Sequence, residues 1–301
     1  MPLHPFLSQM LEALAGVPAL SAGTPEQGRQ LIAASRSRIG SGPEMSVRRD
    51  FTLEAPGRAI PLRLLIPEGE VQGTVIYLHG GGWVLGAPDD FDTLAATLAD
   101  RSGAAVLLVD YRLAPEHPFP AGLEDCREVL QAALERRIPG LPDGGVVVAG
   151  DSAGGNLATV CCAGWQGGEG PCLQVLLYPV TDCDFSRSSY SRRGTGLPLT
   201  AADMKWFFEA YAPEGNWSRP EISPLQSASA GVPAVIVTAE YDVLADEGRA
   251  YARALRDRGG RVTHRHAEDL THGFIRLHNL LPPADEELNR ISAEIRSALR
   301  G

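Results

Sequence analysis

Lysine is almost missing from this 301-residue chain: Lys205 stands alone, and arginine supplies the rest of the 27 basic residues. A glycine loop closed by lysine around a phosphate is thereby excluded, because Lys205 lies far from every glycine cluster and no G-x-G-x-x-G accompanies them. Positive charge is short overall. Thirty-seven acidic residues against 27 basic ones give a net charge of −10 and a pI near 5.2, which argues against a nucleic-acid binder, since a phosphate backbone demands a basic face. No run reaches the 18 apolar residues of a membrane span. The N-terminus "MPLHPFLSQMLEALAGVPAL" has no Lys or Arg before Arg29, and Gln9 and Glu12 interrupt its apolar stretch, so it reads poorly as a signal peptide. Cys126, Cys161, Cys162, Cys172 and Cys183 form no C-x-x-C pair and are odd in number. Neither a zinc site nor a disulfide framework follows, and free thiols in a reducing compartment do. These absences predict a soluble, cytoplasmic protein without repeats or low-complexity tracts.

What is present is ordinary for a globular chain: 44% hydrophobic and 21% charged residues, enough to bury a large core. "RRDFTLEA" and "IPLRLLIP" read as paired strands around Gly57. "GTVIYLHG", "AAVLLVD", "GGVVVAG", "CLQVLLYP" and "VPAVIVTAE" are short continuous apolar runs, the mark of strands covered on both faces. Helical patterns at 89–101, 121–137, 153–165 and 245–258 separate them, then "RVTHRHAE" gives a last strand and "PADEELNRISAEIRSALR" a closing helix. The alternation predicts a mostly parallel sheet with helices on both faces. Ahead of it, "TPEQGRQLIAASRSRI" offers Thr24 as N-cap and Pro25 at the first helical position.

The valine run "GGVVVA" ends in Gly150-Asp151-Ser152-Ala153-Gly154, and a helical pattern begins at once. This G-x-S-x-G, placed between strand and helix, has the form and the context of a nucleophile elbow. A serine hydroxyl is a weak nucleophile. It needs an imidazole in reach, a carboxylate to fix that imidazole, and N–H donors for the oxyanion. "HGGGW", His79 to Trp83, follows the strand "GTVIYL" and supplies unobstructed amides. His79 itself reads as a residue that fixes this loop.

Together "HGGGW" at 79–83, "DYRLAPEHPFPA" at 110–121, "GDSAGGNLA" at 150–158, "YDVLADEG" at 241–248 and "HGF" at 272–274 resemble the bacterial carboxylesterases of the hormone-sensitive lipase family. The similarity runs nearly end to end. It implies an α/β-hydrolase fold with a mostly parallel eight-stranded sheet, helices on both faces and a helical cap. It also implies ester hydrolysis with Ser152 as nucleophile, and an oxyanion hole drawn from Gly80, Gly81, Gly82 and Ala153. In this fold the acid and then the base follow the serine along the chain. Asp242, just past "VPAVIVTAE", suits the acid better than Glu240 on the strand or Asp246 and Glu247 at the next helix start. For the base, His4 and His117 come too early, His264 and His266 alternate within the last strand, and His278 falls on a short helix. His272 hangs directly after the strand. Two departures from the family are Val243 where a proline is usual, and Asp269-Leu270 where a glycine turn is usual.

Residues 1–45 are expected to form N-terminal cap helices, 46–301 the catalytic domain, and 181–220 a cap insertion. Trp83, Trp206, Phe207 and Tyr211 are the expected pocket residues, with packing of the cap as the alternative. Asp110, Arg112 and Glu116 are expected to form ion pairs behind the site. His264 and His266 share a strand face, but no third ligand at recognisable spacing makes them a metal site. No cofactor is called for. The expected partners are a small ester and water, with short to medium acyl chains by resemblance and a homodimer left open. An amidase, deacetylase or lactonase would use the same residues. A ligand-binding receptor on this fold would lack the base, and His272 is present.

Overall fold

The strands are Val47–Ala55 (β1), Arg58–Ile66 (β2), Gly73–Leu78 (β3), Ala105–Val109 (β4), Gly145–Asp151 (β5), Leu173–Leu177 (β6), Ala234–Tyr241 (β7) and Val262–Thr271 (β8). They come from a computed structural model that describes residues 1–165 and 170–301. All eight join one sheet in the order β1-β2-β4-β3-β5-β6-β7-β8. β1 and β2 form the expected hairpin, β2 meets β4 antiparallel, and every pair from β4 to β8 is parallel. Every residue of β3, β4 and β6 is buried. That is why these runs lack the polar alternation of a half-exposed sheet.

Side-chain alternation divides the core in two. Ile76, Leu78 and Val148 face one side, with helices Ala121–Leu134 (α4), Ala153–Cys162 (α5) and Ala245–Asp257 (α8). Val75, Tyr77 and Val147 face the other, with Pro88–Ser102 (α3) and Pro282–Arg300 (α9). The two N-terminal helices are Pro5–Ala13 (α1) and Pro25–Ile39 (α2). The second opens on the anticipated cap: Thr24 and Gln27 exchange hydrogen bonds, with Pro25 at the first turn. Between β6 and β7 lie the short helix Ser188–Arg193 (α6) and the helix Ala201–Tyr211 (α7), whose start is closed by Thr200 and Asp203 in the same reciprocal way.

Three boundaries differ from the sequence reading, the first being the end of α4 at Leu134 rather than 137. α5 stops at Cys162, because Ala163 turns to extended backbone. β8 runs on to Thr271 through Asp269 and Leu270, because Leu270 is buried in the core and the pairing with β7 resumes at Tyr241 and Thr271 beyond an irregularity. Parallel strands deliver their C-terminal ends to one edge of the sheet. The loops after β3, β5, β6, β7 and β8 therefore converge there.

Candidate active site

Ser152 sits in the one-residue corner between β5 and α5, at φ 55° and ψ −118°. A non-glycine side chain is rarely found there, and such strain persists only where packing enforces it. The enforcement comes from its flanks. A Cβ at Gly154 would lie 1.9 Å from the Leu78 carbonyl oxygen, and one at Gly150 would lie 2.3 Å from the Gly154 oxygen. Strand and helix approach that closely only without side chains.

The loop after β8 brings His272 Nε2 to 3.0 Å from Ser152 Oγ, while its Nδ1 lies 2.7 Å from Asp242 Oδ2. A carboxylate facing Nδ1 assigns the proton to that nitrogen and leaves the Nε2 lone pair for the serine hydroxyl. Asp242 is fully buried and its other oxygen accepts the Leu244 N–H at 2.9 Å. The rival acids are engaged elsewhere. Burial works against the Glu240 carboxylate, but Arg193, Arg249 and His266 outweigh it and hold it down at about 2. Asp246 accepts the Ser189 N–H, and Glu247 accepts those of Thr181 and Asp182. His264 and His266 both rest on Thr238 Oγ1, at 3.0 and 2.9 Å.

The three loop glycines have three different neighbours. A Cβ on Gly80 would meet Asp151 Oδ2 at 2.4 Å, one on Gly81 the Leu85 oxygen at 2.2 Å, and one on Gly82 the Phe207 ring at 2.2 Å. They also differ in what their amides do. The Gly80 N–H donates to Asp151 Oδ1 at 2.9 Å, which corrects its expected place in the oxyanion hole: a committed donor cannot receive an oxyanion. Among the described residues, no acceptor takes the N–H of Gly81, Gly82 or Ala153. His79 holds the loop from inside. It is fully buried, its Nδ1 donates to the Gly80 oxygen at 2.8 Å, and its ring stacks on Tyr111 and Phe91. Burial pushes this imidazole down to about 4, so it stays neutral near pH 7.

The expected pocket residues divide. Trp83 and Tyr211 stack at 4.3 Å, almost parallel and fully buried, with Phe208 edge-on to the tryptophan. With no surface left for a ligand, these two are packing residues that fasten α7 to the glycine loop. Phe207 covers Gly82, and Trp206 lies half-buried beside it. Behind the site Arg112 grips Asp125 with two nitrogens at 2.8 and 2.9 Å, and Arg29 grips Glu116 at 2.7 Å. Asp110 departs from expectation. Among the described residues no cation pairs with it, and burial pushes its carboxyl up, reinforced by Asp89.

Two residues escaped the sequence reading. Tyr178, at φ 38°, places its ring 4.7 Å from that of His272, and only the tyrosine-proline end of "CLQVLLYP" hinted at a turn. Asp151 fills the position that G-x-S-x-G leaves open, so the motif gave no signal for it.

A family model for the alpha/beta hydrolase fold matches residues 75–276. The carboxylic ester hydrolase LipN of Mycobacterium tuberculosis is 38% identical over 288 residues, covering 89% of this chain and 77% of that protein. The ethyl acetate hydrolase of Pseudomonas putida is 36% identical over 275 residues, covering 87% and 86%. Among solved structures, an ester hydrolase from the metagenome of Lake Arreo, in complex with a bipyridine phosphonate derivative, superposes with a TM-score of 0.92. It is 32% identical and covers 99% of this chain and 100% of that one.

Proposed function

Because the chain belongs to the α/β-hydrolase family, in its hormone-sensitive-lipase-like group, and is a carboxylic ester hydrolase, we propose that its chemistry runs through Ser152, His272 and Asp242. Ser152 Oγ attacks the ester carbonyl as His272 Nε2 takes its proton, and buried Asp242 stabilises the imidazolium so formed. The tetrahedral oxyanion is received by the N–H groups of Gly81, Gly82 and Ala153. His272 then protonates the leaving alcohol, the acyl group remains on Ser152, and a water activated by the same imidazole releases the acid. The observation that carries this reading is the unbroken chain of contacts from serine to imidazole to carboxylate, at 3.0 and 2.7 Å.

Short to medium acyl esters are the proposed substrates. Phe207 closes the space over Gly82, and one relative is named for hydrolysing ethyl acetate. Residues 1–45 and 181–220 form the proposed cap over the catalytic body, joined where the Ser21 N–H donates to Asp203 at 2.8 Å. A cytoplasmic location is proposed from five free cysteines, three of them buried.

The test is hydrolysis of p-nitrophenyl butyrate by wild type, Ser152→Ala and Asp242→Asn. Turnover should vanish in the first variant and fall roughly 10⁴-fold in the second, the scale on which a triad loses its imidazole tautomer. Equal rates in wild type and Ser152→Ala would sink the assignment. Faster turnover of an anilide or a lactone than of the ester would redirect it to an amidase or a lactonase.

A further inference from the structure

The chemistry of a serine nucleophile asks nothing of the residue before it, yet here that residue is an aspartate. The Asp151 side chain is buried, and among the described residues no cation forms a salt bridge with it. Burial pushes its carboxyl up; Tyr77, Arg276, the Gly80 amide and His272 pull the other way. A buried carboxylate without a paired cation is costly to fold around. The arrangement invites a reason.

The reason lies in what the carboxylate holds. Oδ1 accepts both the Gly80 N–H at 2.9 Å and the Tyr77 hydroxyl at 3.0 Å, and the fit requires residue 80 to lack a side chain. The peptide unit between His79 and Gly80 is thus fixed at both ends, since its carbonyl also accepts the Tyr111 hydroxyl at 2.7 Å. The next carbonyl, of Gly80, accepts His79 Nδ1. In a trans peptide the C=O and N–H point in opposite directions. Pinning the Gly80 oxygen toward His79 therefore turns the Gly81 N–H the other way, where no described protein group takes it.

We propose that Asp151 is a positioning residue for the oxyanion donors: its carboxylate ties the glycine loop to the residue adjoining the nucleophile. Gly81 and Gly82 lie some seventy positions from Ser152 in the chain, and the reaction needs donors and nucleophile in register to within about 0.5 Å. One covalent step separates Asp151 from Ser152, and one hydrogen bond separates it from the peptide that orients the donors. The proposal rests on the reading that Gly81, Gly82 and Ala153 receive the oxyanion.

The experiment compares wild type, Asp151→Asn, Asp151→Ala and Tyr77→Phe with p-nitrophenyl butyrate and with an alkyl trifluoromethyl ketone. That ketone bonds to the serine oxygen and places an oxyanion where the transition state would. Donors that act only in the transition state change kcat and leave KM alone. Asp151→Ala should lose roughly 10- to 100-fold in kcat, at or below the roughly 10²–10³-fold cost of deleting an oxyanion donor outright because the donors are misplaced rather than removed, with KM steady and ketone affinity falling in parallel. Asp151→Asn, which keeps an oxygen for Gly80, should recover part of the loss. Tyr77→Phe, which frees the carboxylate from one of its two donors, should lose roughly 2- to 5-fold, the worth of one modest hydrogen bond. If Asp151→Ala does not fold, the Asn and Phe variants carry the same comparison. A folded Asp151→Ala within twofold of wild type, or one whose KM rises while ketone affinity holds, would overturn the proposal. A wild-type enzyme that hydrolyses the ester but ignores the ketone would instead remove the oxyanion reading beneath it.

Discussion

Phe207 on α7 packs directly against Gly82: a Cβ added to that glycine would come within 2.2 Å of two atoms of the ring. The helix covering the site thus reaches the glycine loop itself, and one residue further along that loop Trp83 stacks on Tyr211 across 4.3 Å, four residues along α7 from Phe207. The Phe207 ring bounds the space beside the Gly82 amide, and the stack keeps α7 from drifting away.

Acyl-chain preference should follow from this. Phe207→Ala opens volume over Gly82 while Trp83, Phe208 and Tyr211 still hold α7 down. In a series of p-nitrophenyl esters from acetate to decanoate, the optimum for kcat/KM should move to longer chains by two or more carbons. Each methylene newly buried contributes about 0.8 kcal/mol. An unchanged profile would mean that the acyl group runs elsewhere.

Tyr178 gives a second expectation. Its ring lies 4.7 Å from that of His272 at a tilt of 57°, and its backbone is held at φ 38° with its N–H donating to the Val237 oxygen at 2.6 Å. A bulky residue in that region is strained, and the strain sets the ring against the imidazole. Aromatic pairs of this kind contribute about 0.5–1.5 kcal/mol beyond their burial. Tyr178→Phe should keep the contact and most of the activity. Tyr178→Leu should lose roughly 3- to 10-fold in kcat, the same energy read as a rate. If Phe and Leu behaved alike, the ring contact would have no part in turnover.

Glu247 makes stability depend on pH. Burial drives its carboxyl up from 4.5 to about 8, opposed by the Thr181 and Asp182 amides that it accepts. The folded protein therefore keeps a proton that the unfolded chain releases near pH 4.5. Stability from this group is complete below that pH and is lost as pH rises through about 8. Glu247→Gln retains an oxygen for the two amides and has nothing to titrate. Its melting temperature relative to wild type should rise steadily between pH 5 and pH 8.5. A difference that stays constant over that range would show that Glu247 holds no extra proton.

Local chemistry made much of the molecule legible in advance. Continuous apolar runs marked β3 to β7 because strands covered on both faces have no polar side to show. Thr24 with Pro25 marked a helix start because a cap is made by neighbours in the chain. Gly150 and Gly154 marked the serine corner because close backbone approach tolerates no Cβ there.

Other features were fixed only by contacts between residues far apart in sequence. Four acids stood near the end of β7, and Asp242 alone meets His272, thirty residues on. Three glycines looked equivalent until the fold gave the Gly80 N–H to Asp151, 71 residues away. Asp110 sat among charges yet pairs with no cation among the described residues, and Trp83 and Tyr211 met each other where a pocket wall was expected. By itself, then, the sequence determined the strands, the caps and the serine corner, since each depends on neighbours a few residues apart. Which acid, which amides and which rings attend that serine was decided by the tertiary structure, because packing alone chooses among chemically equivalent groups that the chain holds tens of residues apart.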